Sequence, residues 1–362
     1  MSLNNLLSQL VSKDTRYAKK SEGNLEDLLT KTLNDLGFST SIIKTDDRPN
    51  ILADNGKEGK SILFYGHIDT VDVVPGWSRE PFELTIEGNK AYGLGAYDMK
   101  GGIAAFLSAI GNSKKHIKVL LAVDEENISS GAWDVVKKKK EFFSDVELII
   151  SAEPNFGLGL NGITVGRTGR VLFTVGAQGK PVHIAKHETG INAIYPLTEF
   201  ISKLKDSSIS KDKMTVIQPR NVVTNTIGMS LCEYAEVDIE VLLGSDDSIE
   251  EIKKELIKLT KKVNDNFKVK LKKRETPYLT GYRFTSFPYQ KEISKIIQKY
   301  TGEKIQLHER SSVGDDNVLA SLGIPVITWG PNGAGAHEVD EWVDLDSLEK
   351  LKEMYSELLE NL

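Results

Sequence analysis

The chain has 362 residues, which at roughly 150 residues per domain suggests two domains. Apolar residues make up 40% and charged residues 27%, enough to build a sizeable core and to exclude a disordered chain. Lys and Arg number 46 against 52 Asp and Glu, and the net charge of −6 argues against nucleic acid, whose phosphates want a basic face. No apolar run approaches the ~20 residues of a membrane span, and the N-terminus lacks the basic-then-apolar pattern of a secretory signal. Cys232 is the single cysteine, so neither an intrachain disulfide nor a cysteine-based zinc site can form. The expected compartment is the cytoplasm.

Residues 3–36 carry apolar positions at helical spacing, ending at Gly37. Three continuous apolar runs of strand length follow, at 61–65, 118–123 and 148–152. Such runs suit strands buried on both faces of a mixed or parallel sheet. Between them, 101–110 reads as a buried helix and 130–143 as a surface helix, with Lys137–Lys140 on its solvated face. The pattern then changes. Residues 170–177 alternate like a half-buried strand, 191–204 is helical, and 226–243 holds two strand-like stretches. A lysine-rich amphipathic helix follows at 248–263, and 268–272 alternates again. Strand, helix, strands, helix, strand fits a small α+β sandwich. After Pro277 the earlier pattern returns, with a helix at 291–300, a strand at 325–329 and a last helix at 347–359. The expectation is an α/β domain with a mixed sheet, made of residues 1–166 and 278–362, interrupted by an inserted domain at 167–277.

Acidic and imidazole groups cluster just past the predicted strands. They are His67 and Asp69, then Asp98, then Glu125 and Glu126, then Glu153 and, beyond the last strand, His337. Ligands of open α/β sheets collect at those strand ends. Packed carboxylates raise one another's pKa, so such a set calls for a neutralising cation. Carboxylate and imidazole donors without thiolate suit zinc or a similar divalent ion. Two ions ~3.5–4 Å apart need a bridging carboxylate with flanking ligands. Asp98 fits the bridge, with His67 and Glu153 on one ion and Glu126 and His337 on the other. Glu125 is then free as a base. Asp69, two residues from His67 on extended chain, can hold the imidazole from behind.

The stretches GHIDTV (66–71), WSREPF (77–82), GLGAYDMKGG (93–102), DEE (124–126), AEP (152–154) and GAHEVDEW (335–342) stand in this order along the chain. Together they resemble the dinuclear zinc hydrolase family of succinyl-diaminopimelate desuccinylase, acetylornithine deacetylase, aminoacylases and carboxypeptidase G. His183 followed by Gly190–Ile194 is similar to that family's lid motif. The resemblance implies a zinc-binding domain interrupted by a ferredoxin-like lid that also dimerises. It carries the general base to Glu125 and a metal ligand to Glu126. It makes His183 the lid histidine that hydrogen-bonds the substrate carbonyl in the partner subunit's site, assisted by Asn225.

Three departures from the family's pattern stand out, the first expected to affect only local packing. Leu94 stands where the family often has Arg. Glu240 stands where many relatives have an arginine that holds the substrate carboxylate, leaving Arg220, Arg274 and Arg310 as replacement anchors. The turn at 312–317 (SVGDDN) resembles the family's Gly-Ser-Asp-Ala-Asn only loosely. His116 and His308, lacking supporting neighbours, are expected at the surface. The expected protein is a homodimeric amidohydrolase with two divalent ions, zinc foremost and cobalt or manganese in its place, removing a succinyl or acetyl group from an amino acid. The alternatives are a dipeptidase or carboxypeptidase and, from another class, a catalytically silent binding protein.

Overall fold

The computed structural model describes residues 2–111, 113–154 and 156–362. The chain forms two compact units, one of residues 1–166, 284–309 and 314–362, the other of 167–283 and 310–313.

The first unit is built on a large mixed sheet. Its strands run in the order Ser39–Thr45, Arg48–Asp54, His116–Ala122, Ser61–His67, Val146–Ser151, Val326–Thr328 and Gly162–Arg167. The middle four are mutually parallel. Ile62, Leu63, Phe64 and Tyr65 are wholly buried, as are Val119, Leu120 and Leu121, because both faces of the sheet are covered. The register sets His67 level with Ala122 and Tyr65 level with Ser151. The three segments 67–69, 124–126 and 151–153 therefore leave the sheet at one edge. Helix Gly101–Ala109 starts against that edge. A Cβ on Gly102 would lie 2.0 Å from the Ala152 carbonyl oxygen, so only glycine permits this approach.

A second sheet of four short strands, ordered Gly333–Ala334, Trp342–Asp344, Lys90–Tyr92 and Thr85–Glu87, sets residues 335–341 beside the turn at 93–98.

One local expectation is revised, and one hairpin comes without a sequence signal. The helical pattern over 3–36 splits into helices Leu3–Val11 and Glu26–Asp35. The polar segment between them pairs instead with Thr70: Tyr17 N–H donates to the Thr70 carbonyl at 3.0 Å, and Thr70 N–H to that of Thr15 at 3.1 Å. The hairpin Ser39–Asp54 carries no Asn-Gly signal. It turns on Asp46 and Asp47, at φ +48° and +64°, the left-handed pair that a tight hairpin needs.

In the second unit, strands Val216–Asn225, Tyr234–Leu243, Gly169–Gln178 and Phe267–Leu271 form an antiparallel sheet in that order. Alternate residues Val171, Phe173, Val175, Val237, Ile239 and Val241 face a core closed by Leu197 and Phe200 of helix Ile194–Lys205 and Ile252 and Leu256 of helix Ile249–Lys261. The first strand lies at the edge, earlier in the chain than the two stretches expected at 226–243. Among the described residues, no helix is long and apolar enough to cross a membrane.

Candidate active site

The edge where the parallel strands end is where seven of the predicted residues meet: His67, Asp69, Asp98, Glu125, Glu126, Glu153 and His337. His67 closes its strand, and its Nδ1 lies 3.0 Å from the Asp69 carbonyl oxygen. A carbonyl and a carboxylate only accept, so Nδ1 donates to the Asp69 carbonyl and Nε2 to Asp98 Oδ1, 3.2 Å away; a cation at Nε2 would take the place of that second proton. The Asp69 carboxylate is farther, with Oδ1 at 3.7 Å from Nδ1, and its Oδ2 accepts the Glu126 backbone N–H at 3.0 Å. Asp69 thus orients the imidazole through its backbone and braces Glu126 through its side chain.

Asp98 faces two imidazoles. Its Oδ1 meets His67, and its Oδ2 lies 3.6 Å from Nε2 of His337. His337 Nε2 is also 3.0 Å from a Glu126 carboxylate oxygen. Hydrogen bonds to Asp98 and Glu126 push His337 up to about 10. Burial works against protonating His67, but the Asp98 hydrogen bond and the charges of Glu125, Asp69 and Asp98 lift it well above an ordinary imidazole. Burial first, and the Glu153 charge second, raise Glu125 far above the carboxylate range. Glu126 rises for the same leading reason.

Ligand atoms of His67, Glu125 and Glu153 lie within 4.8 Å of one another, as do those of His67, Asp98 and Glu126. Such carboxylates, buried and close enough to raise one another's pKa, are short of positive charge. Oxygen and imidazole nitrogen are the donors that zinc and similar divalent ions accept. The residues present therefore fit a pair of divalent cations.

Two further residues were not singled out from the sequence. Glu341 is 1% exposed and accepts three backbone N–H bonds, from Gly95 at 2.8 Å, Tyr97 at 2.9 Å and Asp98 at 2.8 Å. It clamps the turn that carries Asp98, and burial keeps its own carboxyl up at about 8 despite those bonds. Asp315 lies in the loosely matching 312–317 turn. It is fully buried, accepts the Tyr65 hydroxyl at 2.8 Å, and is raised to about 7 chiefly by burial. The signal for Glu341 was its place at the end of the GAHEVDEW stretch. Asp315 had only the weak turn.

In the second unit, His183 is exposed and caps a short 3₁₀ turn, Ile184–Thr189. Its Nδ1 accepts the Ala185 N–H at 3.2 Å, so Nε2 holds the proton and is a donor. Asn225 ends the edge strand, also exposed. The segment after it returns beside His183, with Leu231 N–H bonded to the Val182 carbonyl and Ile184 N–H to that of Met229. The two residues thus share one end of that sheet.

Glu240 does not present a bare charge. It pairs with Arg170 at 2.6 Å and with Arg220, which hold its carboxyl below the usual range although burial opposes them. Arg220 is occupied by this pairing, and Arg274 donates to Thr276 Oγ1 at 2.8 Å. His116 is only 8% exposed, between Asp54 at 3.0 Å and Asp145 at 3.1 Å, and His308 has a buried Nε2. Neither is the surface histidine expected; His116 is enclosed by acids distant in the sequence.

Clustered carboxylates and imidazoles at the carboxyl edge of a parallel sheet define a metal-dependent hydrolase. Residues 63–361 match the model of peptidase family M20/M25/M40, and the chain belongs to that family. It is 28% identical to succinyl-diaminopimelate desuccinylase of Pelagibacter ubique, over 92% of each chain. Its fold is similar to that of aminopeptidase PepT from Bacillus cereus, with a TM-score of 0.79, 21% identity, and 99% of this chain and 97% of that one covered. It is also similar to the YXEP protein of Bacillus subtilis, described as a dinuclear metal binding peptidase, with a TM-score of 0.75, 16% identity, and coverage of 99% and 96%.

Proposed function

We propose that this hydrolase removes an acyl group, succinyl or acetyl, from an N-acyl amino acid, using two divalent ions, zinc foremost. The observation that carries the two-ion reading is Asp98, with one carboxylate oxygen toward each of the two imidazoles. His67 and Glu153 would hold one ion, Glu126 and His337 the other. When bound, the ions polarise the amide carbonyl and lower the pKa of the attacking water. Glu125 takes the water's proton and passes it to the leaving amine. Asp69 keeps His67 in the tautomer that offers Nε2. The desuccinylase relative, matched over nine-tenths of both chains, supports the substrate class.

Residues 167–277 act as lid and dimerisation domain. The partner subunit's His183 donates to the carbonyl oxygen as charge develops there, and Asn225 assists. The exposed lid edge supports this reading. Strand Val216–Asn225 is unpaired on its outer side, with Val222 58% exposed and Ile227, just past it, 76% exposed, an edge that a second copy can cover. The single cysteine accords with a cytoplasmic place.

The test of substrate is a hydrolysis screen of N-succinyl and N-acetyl amino acids against dipeptides, with zinc, cobalt or manganese added. Amine release from the acylated set alone is expected. Turnover of dipeptides alone makes the protein a peptidase, and no turnover at all favours a binding protein.

The test of the shared site is complementation. Glu125→Gln chains keep His183 but lack the base, and His183→Ala chains keep the base but lack the donor. Reassorted at random, about half the dimers are mixed, each with one complete site, so roughly a quarter of wild-type activity returns. No recovery, with subunit exchange verified by mass, would show that His183 serves its own chain.

A further inference from the structure

Strand Arg48–Asp54 lies beside His116–Ala122, and its first residues reach past the ladder alongside the segment that carries Glu125. Asn50, wholly buried, accepts the Val123 N–H at 3.1 Å. Its amide donates back to the Ile43 carbonyl and Thr45 Oγ1, both at 3.0 Å, so its own orientation is set. Arg48, 4% exposed, donates from Nη1 to Asp124 Oδ1 at 2.9 Å and to Glu22 Oε1 at 3.0 Å, and from Nη2 to Ser130 Oγ at 3.4 Å. Asp124 Oδ2 accepts Ser130 Oγ at 2.5 Å and the Ser130 N–H at 3.3 Å, and Asn127 Nδ2 donates to Asp124 Oδ1 at 3.3 Å.

Asp124 has φ +68°, a left-handed backbone that non-glycine residues rarely adopt and that persists only where surroundings over-determine it. It stands immediately before Glu125. A buried ion pair is a poor route to stability, since apolar residues of similar volume often serve as well. What the Glu22–Arg48–Asp124 set supplies is direction. Val123 is held by Asn50, Asp124 by Arg48 and Glu126 by Asp69. Glu125 is thereby aimed into the site by the backbone on either side of it.

We propose that Arg48 is a positioning residue for the reaction, fixing the aim of Glu125 through the side chain of Asp124. The proposal rests on the reading of Glu125 as base. The variants are Arg48→Gln, Arg48→Lys, Asp124→Asn and the double Arg48→Gln/Asp124→Asn, each compared with wild type loaded with zinc. Amide hydrogen exchange in residues 121–130 is expected to speed up by about tenfold or more in Arg48→Gln, while 61–67 and 146–151 stay protected. On the N-acyl amino acid that wild type turns over fastest, kcat is expected to fall by about 10- to 100-fold, with KM within about threefold and zinc content kept. The lysine variant recovers part of kcat. The double variant is no more than about twofold worse than Asp124→Asn, because both act through one contact.

Unchanged exchange in 121–130, or losses that multiply in the double variant, overturn the proposal. If Arg48→Gln does not fold, Asp124→Asn carries the test, since asparagine keeps the shape and tolerates the left-handed backbone; unchanged exchange and kcat there overturn it equally. If no substrate is turned over by wild type, the base assignment fails, and exchange alone decides whether Arg48 orders the segment.

Discussion

Asp98→Ala is expected to release both ions at once. Elemental analysis of the wild-type chain should find close to two divalent ions, and of the variant close to none. Asp98 presents Oδ1 to His67 at 3.2 Å and Oδ2 to His337 at 3.6 Å, so on the proposed assignment its removal would cost each ion a ligand. It also removes the charge that offsets two cations held side by side. Turnover should fall by at least about 10³-fold, because both carbonyl polarisation and the activated water go with the metal. The fold should survive, because Glu341 grips the turn by its backbone N–H groups rather than by the Asp98 side chain. One ion retained at wild-type affinity would show that Asp98 belongs to a single site, and the two-ion reading would fall.

Glu125 and Glu126 are adjacent in sequence but should separate cleanly on substitution. Glu125→Gln keeps the shape of the side chain and loses the ability to take a proton. Metal content should persist while kcat falls by at least about 10²-fold, the usual scale for a lost general base. Glu126→Gln should instead weaken metal binding, because its carboxylate sits 3.0 Å from His337 and in the same group as His67 and Asp98. Measuring zinc and kcat on the same preparations separates the two. If Glu125→Gln lost metal and Glu126→Gln kept it, the assignment within the triplet would be reversed.

The residues that cluster at the candidate site were legible because a divalent-ion site draws on few side-chain types and needs them at strand ends. His67, Asp98, Glu126, Glu153 and His337 each follow an apolar run or a glycine-rich turn, and the runs themselves announce buried strands. The alternation of 170–177 and the amphipathic helix at 248–263 likewise declare a second sheet with helices on one face. Composition alone excluded disulfides and a thiolate zinc site.

What supports those residues was decided in three dimensions. Arg48, Glu22 and Glu341 act through partners 26 to 246 positions away, Asn50 reaches Val123 across 73, and no local period marks them. A buried carboxylate that accepts backbone N–H groups reads in sequence as any surface acid. Glu240 looked like a bare charge until Arg170 and Arg220, on neighbouring strands of the second unit's sheet, were seen to neutralise it. His116 looked exposed until Asp54 and Asp145 enclosed it. Ligand identity follows from chemistry, which the residue type carries wherever it lies. Burial and pairing follow from which strands become neighbours, and that is settled only when the sheet's order and register are set.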